Sequence, residues 1–285
     1  MQKLIGVGLV ALCVFGGFVM ANGKLIALWQ PSEMVIILGA ALGSMVIGNS
    51  TTVLKEVLHQ LKGLLASRKG EAQLARELLM IMHTLLDEIR QKGLKVLDAH
   101  IEAPMASPLF QRFPEILKEP ILVNFITDNL RMLAMGKISA HEFEAVLEQE
   151  ILAIEDDLLR ASKALHRAGE AMPGFGILAA VGGIIITMQH LDGPLGEIGV
   201  HVAAALVGTF IGIFGCYCLF EPAGAAMAEL VHRKISTLEC VKAVLTSHVA
   251  GKSPLLAVDA GRRVLEMDVK PSFATVERWL DSEAM

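Results

Sequence analysis

Few side chains in this sequence have the type and spacing to make or break bonds. The cysteines are Cys13, Cys216, Cys218 and Cys240. Cys216-x-Cys218 lies in an apolar stretch where a helix would turn the two thiols to different sides. No second pair of Cys or His stands at ligand spacing, so neither a metal site nor a disulfide framework is expected. There is no phosphate-binding loop, no HExxH, and no Ser or Cys nucleophile in a recognisable frame. Gly174-x-Gly176-x-x-Ala179 has the letters of a dinucleotide fingerprint, but it follows Pro173 inside an apolar run and no strand precedes it. Packing is its expected use. The chain is not expected to be an enzyme, and no cofactor is expected.

What remains are polar groups beside apolar stretches. Asp192 and Glu197 flank a short turn, His190 and His201 lie near the ends of apolar runs, and Thr209 stands inside one. For the histidines the plain expectation is solvation at an interface, and for Thr209 a hydroxyl bonded back to its own helix. No Asp, Glu, Lys or Arg is expected at depth in an apolar window. If the chain conducts ions, the titrating group must then come from a partner.

The elements that position these groups follow from composition. Of 285 residues, 53% are hydrophobic and only 19% charged, against about 25% charged in soluble domains. Lipid is therefore part of the solvent. A net charge of −5 without a basic excess argues against nucleic acid as a partner. Four uncharged windows are long enough to cross ~30 Å of hydrocarbon: 4–23, 34–54, 171–191 and 198–220. The expected fold is an all-α polytopic membrane protein with four transmembrane helices. Its expected segments are a first transmembrane hairpin (1–54), a helical cytoplasmic insert (55–170), a second hairpin (171–221) and a helical cytoplasmic tail (222–285). A signal peptide is the rival reading of the first window, but no clean small-x-small cleavage site follows it. Lys55, Lys62, Arg68 and Lys69 open the insert, and Arg233 and Lys234 open the tail, while the short loops hold one basic residue or none. This places both long segments, and both termini, in the cytoplasm.

Within the insert, 71–93 alternates Leu and Met with charges at a helical period and stops at Gly93. Pro104, Pro108, Pro114 and Pro120 punctuate the next stretch of chain. A helix is expected over 121–135 and a long one over 139–167, which either continues into the third span or turns near Gly169. Ala204, Gly208 and Gly212 are spaced by four, as are Gly176 and Ala180, and such faces let helix backbones approach closely in lipid. Pro173 opens the third window and Pro222 closes the fourth. They are plain helix punctuation or a hinge at matching depth.

Several strings together resemble the MotA family. They are Phe15-Gly16-Gly17-Phe18, Ala27-Leu28-Trp29-Gln30-Pro31-Ser32-Glu33, Arg90-Gln91-Lys92-Gly93 with Leu97-Asp98, and Ile101-Glu102-Ala103-Pro104. Pro173-Gly174-Phe175-Gly176-Ile177, Val207-Gly208-Thr209-Phe210-Ile211-Gly212, Cys240-Val241-Lys242 and Pro271-Ser272-Phe273 extend the likeness to the tail. The resemblance implies a flagellar motor stator subunit in the bacterial inner membrane, in a ring of several copies (five is the family expectation) around a MotB dimer that supplies the membrane aspartate. It implies charged contacts from Arg90 and Asp98 to the rotor protein FliG. It also implies conformational coupling at Pro173 and Pro222, and an ion path past Thr209 and Ala180. The family usually has Glu where Asp98 stands, which keeps the charge and shortens the reach. Alanine at 180, where sodium-driven relatives resembling PomA have threonine, favours H+ over Na+. Three-span transducers resembling ExbB or TolQ are the nearest rival, and a non-conducting membrane scaffold is a second.

Overall fold

The computed structural model describes residues 2–65, 70–136, 138–189 and 195–284. All regular structure among them is helical. The helices are α1 (Gln2–Met20), α2 (Pro31–Gly48), α3 (Thr51–Leu65), α4 (Glu71–Lys92), α5 (Asp98–Ile101), α6 (Pro108–Gln111) and α7 (Pro114–Leu117). They continue with α8 (Pro120–Met135), α9 (Ala140–Gln189), α10 (Leu195–Phe214), α11 (Glu221–Val249), α12 (Pro254–Val264) and α13 (Phe273–Ala284). The four expected spans lie on α1, α2, α9 and α10, each long and apolar enough to cross a membrane.

Local chemistry explains most boundaries. Pro108, Pro114 and Pro120 each open the helix they begin, where a missing N–H costs nothing. Gly93 ends α4 with φ of 78°, a conformation that β-carbon sterics make rare in other residues. Ser139 and Glu142 cap α9 reciprocally: the Ser139 N–H donates to Glu142 Oε2 at 3.0 Å and the Glu142 N–H to Ser139 Oγ at 3.2 Å.

Three expectations are corrected. The second span does not run to Leu54. Asn49 is extended (φ −136°, ψ 150°), its amide bonds back to the Met45 carbonyl at 2.8 Å, and α3 starts afresh at Thr51. Pro173 is not helix punctuation: it stands inside α9, which takes the first of its two expected courses and continues past Gly169 into the third span without a turn. Nor does Pro222 close the fourth span. A π-helical turn over Gly215–Phe220 joins α10 to α11, and Pro222 falls in the first turn of α11. The wider π turn makes room for a ring that a tight α-helix would reject.

The chain forms two compact units, Met1–Ala66 with Asp157–Leu230 and Ser67–Asp156 with Val231–Met285. The first unit holds α1 to α3, α10 and parts of α9 and α11. One cluster packs Ile37 and Ala41 of α2 against Met172 and Ala179 of α9 and Cys216. A second joins Val53 and Val57 of α3 to Ala161, Ala164 and Leu165 of α9 and Met227 of α11. In contrast, the span window of α1 buries nothing, which leaves its apolar surface for lipid or other helices.

The second unit has an aliphatic and aromatic core, with Leu78, Leu85, Leu86, Phe110, Phe125 and Phe143 fully buried. Asn129 donates to Glu150 Oε2 at 2.9 Å and ties α8 to α9. Arg233 is enclosed by Glu71 at 2.6 Å and Asp268 at 3.0 Å, and Lys234 reaches Glu119 at 3.0 Å. These tail cations thus take part in ion pairs within the unit.

Candidate functional site

The apolar hairpin of α9 and α10 is built on missing side chains. A β-carbon on Gly176 would lie 2.9 Å from the Gly208 carbonyl and 3.3 Å from the α-carbons of Gly212 and Thr209. One on Gly212 would lie 2.6 Å from the Met172 carbonyl. Gly183 meets the Ala205 methyl in the same way at 3.0 Å. Glycine therefore sets the distance between these backbones. Gly176, Gly208 and Gly212 all stand in the crossing. At the next level outward the contact is made by buried Ala205, whereas Ala204 is only half-buried. The reason is register: close approach at Gly208 and Gly212 turns residue 205, three before Gly208, towards α9.

Thr209 and Ala180 are both half-buried and flank this crossing. Phe15 of α1 lies over its outer surface, 6.5 Å from the Phe210 ring and 5.3 Å from that of Phe214. His190 and Asp192 lie outside the described residues. Among the described residues no group of three or more His, Cys, Asp or Glu is placed to hold a metal ion.

An acid does reach the crossing, contrary to expectation. Glu33 is 5% exposed, and its Oε2 is buried without a hydrogen-bond partner. A β-carbon on Gly208 would sit 2.7 Å from that oxygen. The sequence held a signal for it: Pro31 at a helix start with an acid in the first turn. Counting only uncharged residues started the second window at 34, three positions after the start of α2, and assigned Glu33 to the loop.

At the other end of the crossing, Gly169 of α9 faces Phe220, and a β-carbon there would be 2.8 Å from the Phe220 β-carbon. Close by, His166 Nδ1 lies 3.0 Å from Glu221 Oε2, while Glu221 Oε1 is buried without a partner. Ser162 donates to the Gly224 carbonyl at 2.9 Å. Pro173 and Pro222 therefore border a junction held by polar contacts. His166 had no motif to draw attention to it, because its partner is 55 positions away.

The charged surface lies in the second unit. Arg90 is exposed at the end of α4, with its guanidinium 3.1 Å from Asp87 of its own helix. Asp98 is exposed and begins α5. The two do not pair, and the turn at Gly93 lies between them in the chain. His100 fixes that turn. It is buried, with Nε2 3.1 Å from Glu88 and Nδ1 2.7 Å from Ser107 Oγ. His100→Ala is expected to cost about 2 kcal/mol, as one buried and one partly buried hydrogen bond and a packed ring are lost. Proteolysis between 93 and 107 should accelerate while the rest of the unit stays protected, which limited digestion and peptide mapping would read.

Residues 4–93 match the family described as Motility protein A N-terminal, and residues 118–240 match the MotA/TolQ/ExbB proton channel family. Chemotaxis protein LafT of Vibrio parahaemolyticus is 53% identical over 280 residues, 98% of each chain. Motility protein A of Escherichia coli is 35% identical over 97% of this chain and 94% of its own. The structure is similar to the flagellar MotAB stator complex from Bacillus subtilis, at 26% identity and a TM-score of 0.69 over 90% of this chain and 92% of that one. With likeness along almost its entire length, the chain belongs to the motility protein A group of the MotA/TolQ/ExbB proton channel family.

Proposed function

We propose that the chain is a stator subunit of the bacterial flagellar motor, coupling ion flow across the inner membrane to torque on the rotor protein FliG. The observation that carries this reading is full-length likeness to motility proteins together with a glycine-built crossing that holds Thr209 and Ala180 at one level. A MotB-like dimer supplies the membrane aspartate, and five copies of this chain surround it, with both termini in the cytoplasm. The uncovered apolar surface of α1 fits such a ring in lipid.

The carried ion is the proton. Ala180 offers no oxygen to a metal cation that must shed its water, whereas a proton needs only a carboxylate. One charge crossing 100 mV releases ~2.3 kcal/mol, enough to bias a small rotation. Pro173 and Pro222 are where the stroke bends the helices, since each lacks a backbone N–H. Arg90 and Asp98 make the rotor contact. Exposed pairs are worth about 0–1 kcal/mol each, which suits a contact that forms and releases repeatedly.

The test is swimming of a strain lacking its own stator subunit and given this chain with its cognate partner. Motility in low-sodium medium that a protonophore abolishes supports the proposal. Motility only with added sodium overturns the ion, and none in either medium, at normal protein levels, overturns the function. In the same assay Arg90→Glu is expected to reduce swarming strongly at unchanged membrane level. Loss of one pair and gain of a repulsion come to about 1–2 kcal/mol, roughly tenfold in contact occupancy.

A further inference from the structure

The turn between the first two spans holds its backbone tightly and yet exposes large apolar side chains. Asn22 ends α1 with φ of 64°, and the N–H groups of Asn22 and Gly23 donate to the Val19 and Phe18 carbonyls, each at 2.9 Å. A single tight helical turn, Leu25–Leu28, follows. The Ala27 N–H donates to the Lys24 carbonyl at 2.9 Å and the Trp29 N–H to the Ile26 carbonyl at 3.1 Å. This turn packs against α10, with Leu28 half-buried. Leu25, Ile26 and Trp29 face away, and Ile26 is 76% and Trp29 63% exposed. A turn that met water on that side would carry polar residues there.

The exposed surface is continuous with that of α1, which the turn touches. Val19 and Met20 at the end of α1 are exposed, and its span window buries nothing. The first window, 4–23, already accounts for ~30 Å of helical rise. The turn therefore lies just past the hydrocarbon, in a polar layer about 5–8 Å deep. Trp favours that layer, because its ring is apolar and its N–H seeks a polar partner. Lys24 is exposed at the entry to the turn and is the one charge between Lys3 and Glu33. It offers phosphate a cation with no neighbouring acid in the chain. The N–H groups that close the turn are bonded within it, so the turn leaves bulk water without stranding them.

We infer that the turn over 25–29 is a lipid anchor: Ile26 and Trp29 insert into the headgroup layer, and the Lys24 ammonium pairs with phospholipid phosphate. The anchor fixes the depth at which α1 ends and α2 begins at Pro31. It requires only that the spans lie in a bilayer, and so stands apart from what the chain couples. A segment of a partner chain, or a second copy, seated on the same side chains would instead keep Trp29 out of reach of lipid.

Trp29 and Trp279 are the two tryptophans of the chain, so the fluorescence of one can be isolated. The complete complex is prepared with Trp279→Phe, and again with Trp279→Phe and Trp29→Phe together, and placed in phosphatidylcholine vesicles. The difference between the two emission spectra belongs to Trp29, even where the partner chain has tryptophans of its own. A blue-shifted emission is expected. Lipid brominated near the carbonyl end of its chains should quench it severalfold more than lipid brominated near the methyl end. Iodide on both sides of the membrane should quench it severalfold less than free tryptophan. Iodide quenching as strong as for free tryptophan puts the turn in water and overturns the inference. Quenching by neither bromine nor iodide puts it under protein and overturns it equally, as does stronger quenching from the methyl end. The wild-type complex decides where a variant does not assemble. Phosphatidylcholine with a diazirine at the head end of its chain is expected to label residues 24–29 on illumination, as read by peptide mass. Absence of label there overturns the inference.

Discussion

Replacing Gly212 by valine is expected to abolish swimming and to remove most of the protein from the membrane. The β-carbon would stand 2.6 Å from the Met172 carbonyl and 3.1 Å from the Gly176 α-carbon. Both obstacles are backbone, so no rotamer change relieves the clash, and valine adds two methyls to it. Overpacking of side chains costs about 1–3 kcal/mol. Here whole helices must separate, losing the contacts at Gly176, Gly183 and Gly208 together, so the cost should lie at or above about 3 kcal/mol. Gly182, with open space around its β-carbon position, is the control. Immunoblots of washed membranes would show Gly212→Val depleted and Gly182→Ala at wild-type level. Equal levels for both would mean that the α9–α10 distance is not set by glycine.

The second large effect concerns the tail. Asp259 of α12 is 7% exposed and takes hydrogen bonds from Arg262 at 2.7 Å and Arg263 at 2.8 Å. Arg262 also donates to the Pro271 carbonyl at 3.1 Å, so the pair fixes the segment that leads into α13. Burial pushes the carboxyl up, but the hydrogen bonds from Arg263 and Arg262 outweigh it and hold the group below its ordinary value. A depressed folded-state value means that the stabilisation is complete above the unfolded value of about 4 and is lost as pH falls through the folded one. Asp259→Asn should therefore cost about 2–3 kcal/mol at neutral pH, because Arg262 is left half-enclosed without its charge partner. The gap between variant and wild type should begin to narrow as pH falls below ~4 and close only below the depressed folded-state value. Thermal unfolding followed at pH 7 and at pH 3 would check both statements, and a gap that persists unchanged in acid would rule out the ion pair as its cause.

Sequence alone was enough for the four spans, the helical insert with α4 ending at Gly93, and the surface position of Arg90 and Asp98. Those features depend on local quantities: a run of uncharged residues, a 3.6-residue period, a residue tolerant of positive φ, and charges that must face water. The same locality explains what went wrong. Asn49 ends α2 by a side-chain bond to Met45 that hydropathy does not register. Pro222 looked like a stop because a proline usually is one, whereas a π turn absorbs it.

The site was only half legible. Spacing by four found Gly208 and Gly212 but also chose Ala204, when the register of α10 on α9 puts Ala205, three before Gly208, against Gly183. His166 with Glu221, His100 with Glu88, and Glu33 with Gly208 are pairs whose members lie far apart in the chain or on different helices. No periodicity can bring them together, because burial of a polar group depends on which backbone passes beside it. By itself the sequence determined that this chain is a membrane-spanning helical protein with a charged helical insert, since hydropathy and period are properties of each segment alone. Only the tertiary structure decided which acid lies inside the crossing and which cations are paired, because desolvation and charge pairing are settled between helices, not within them.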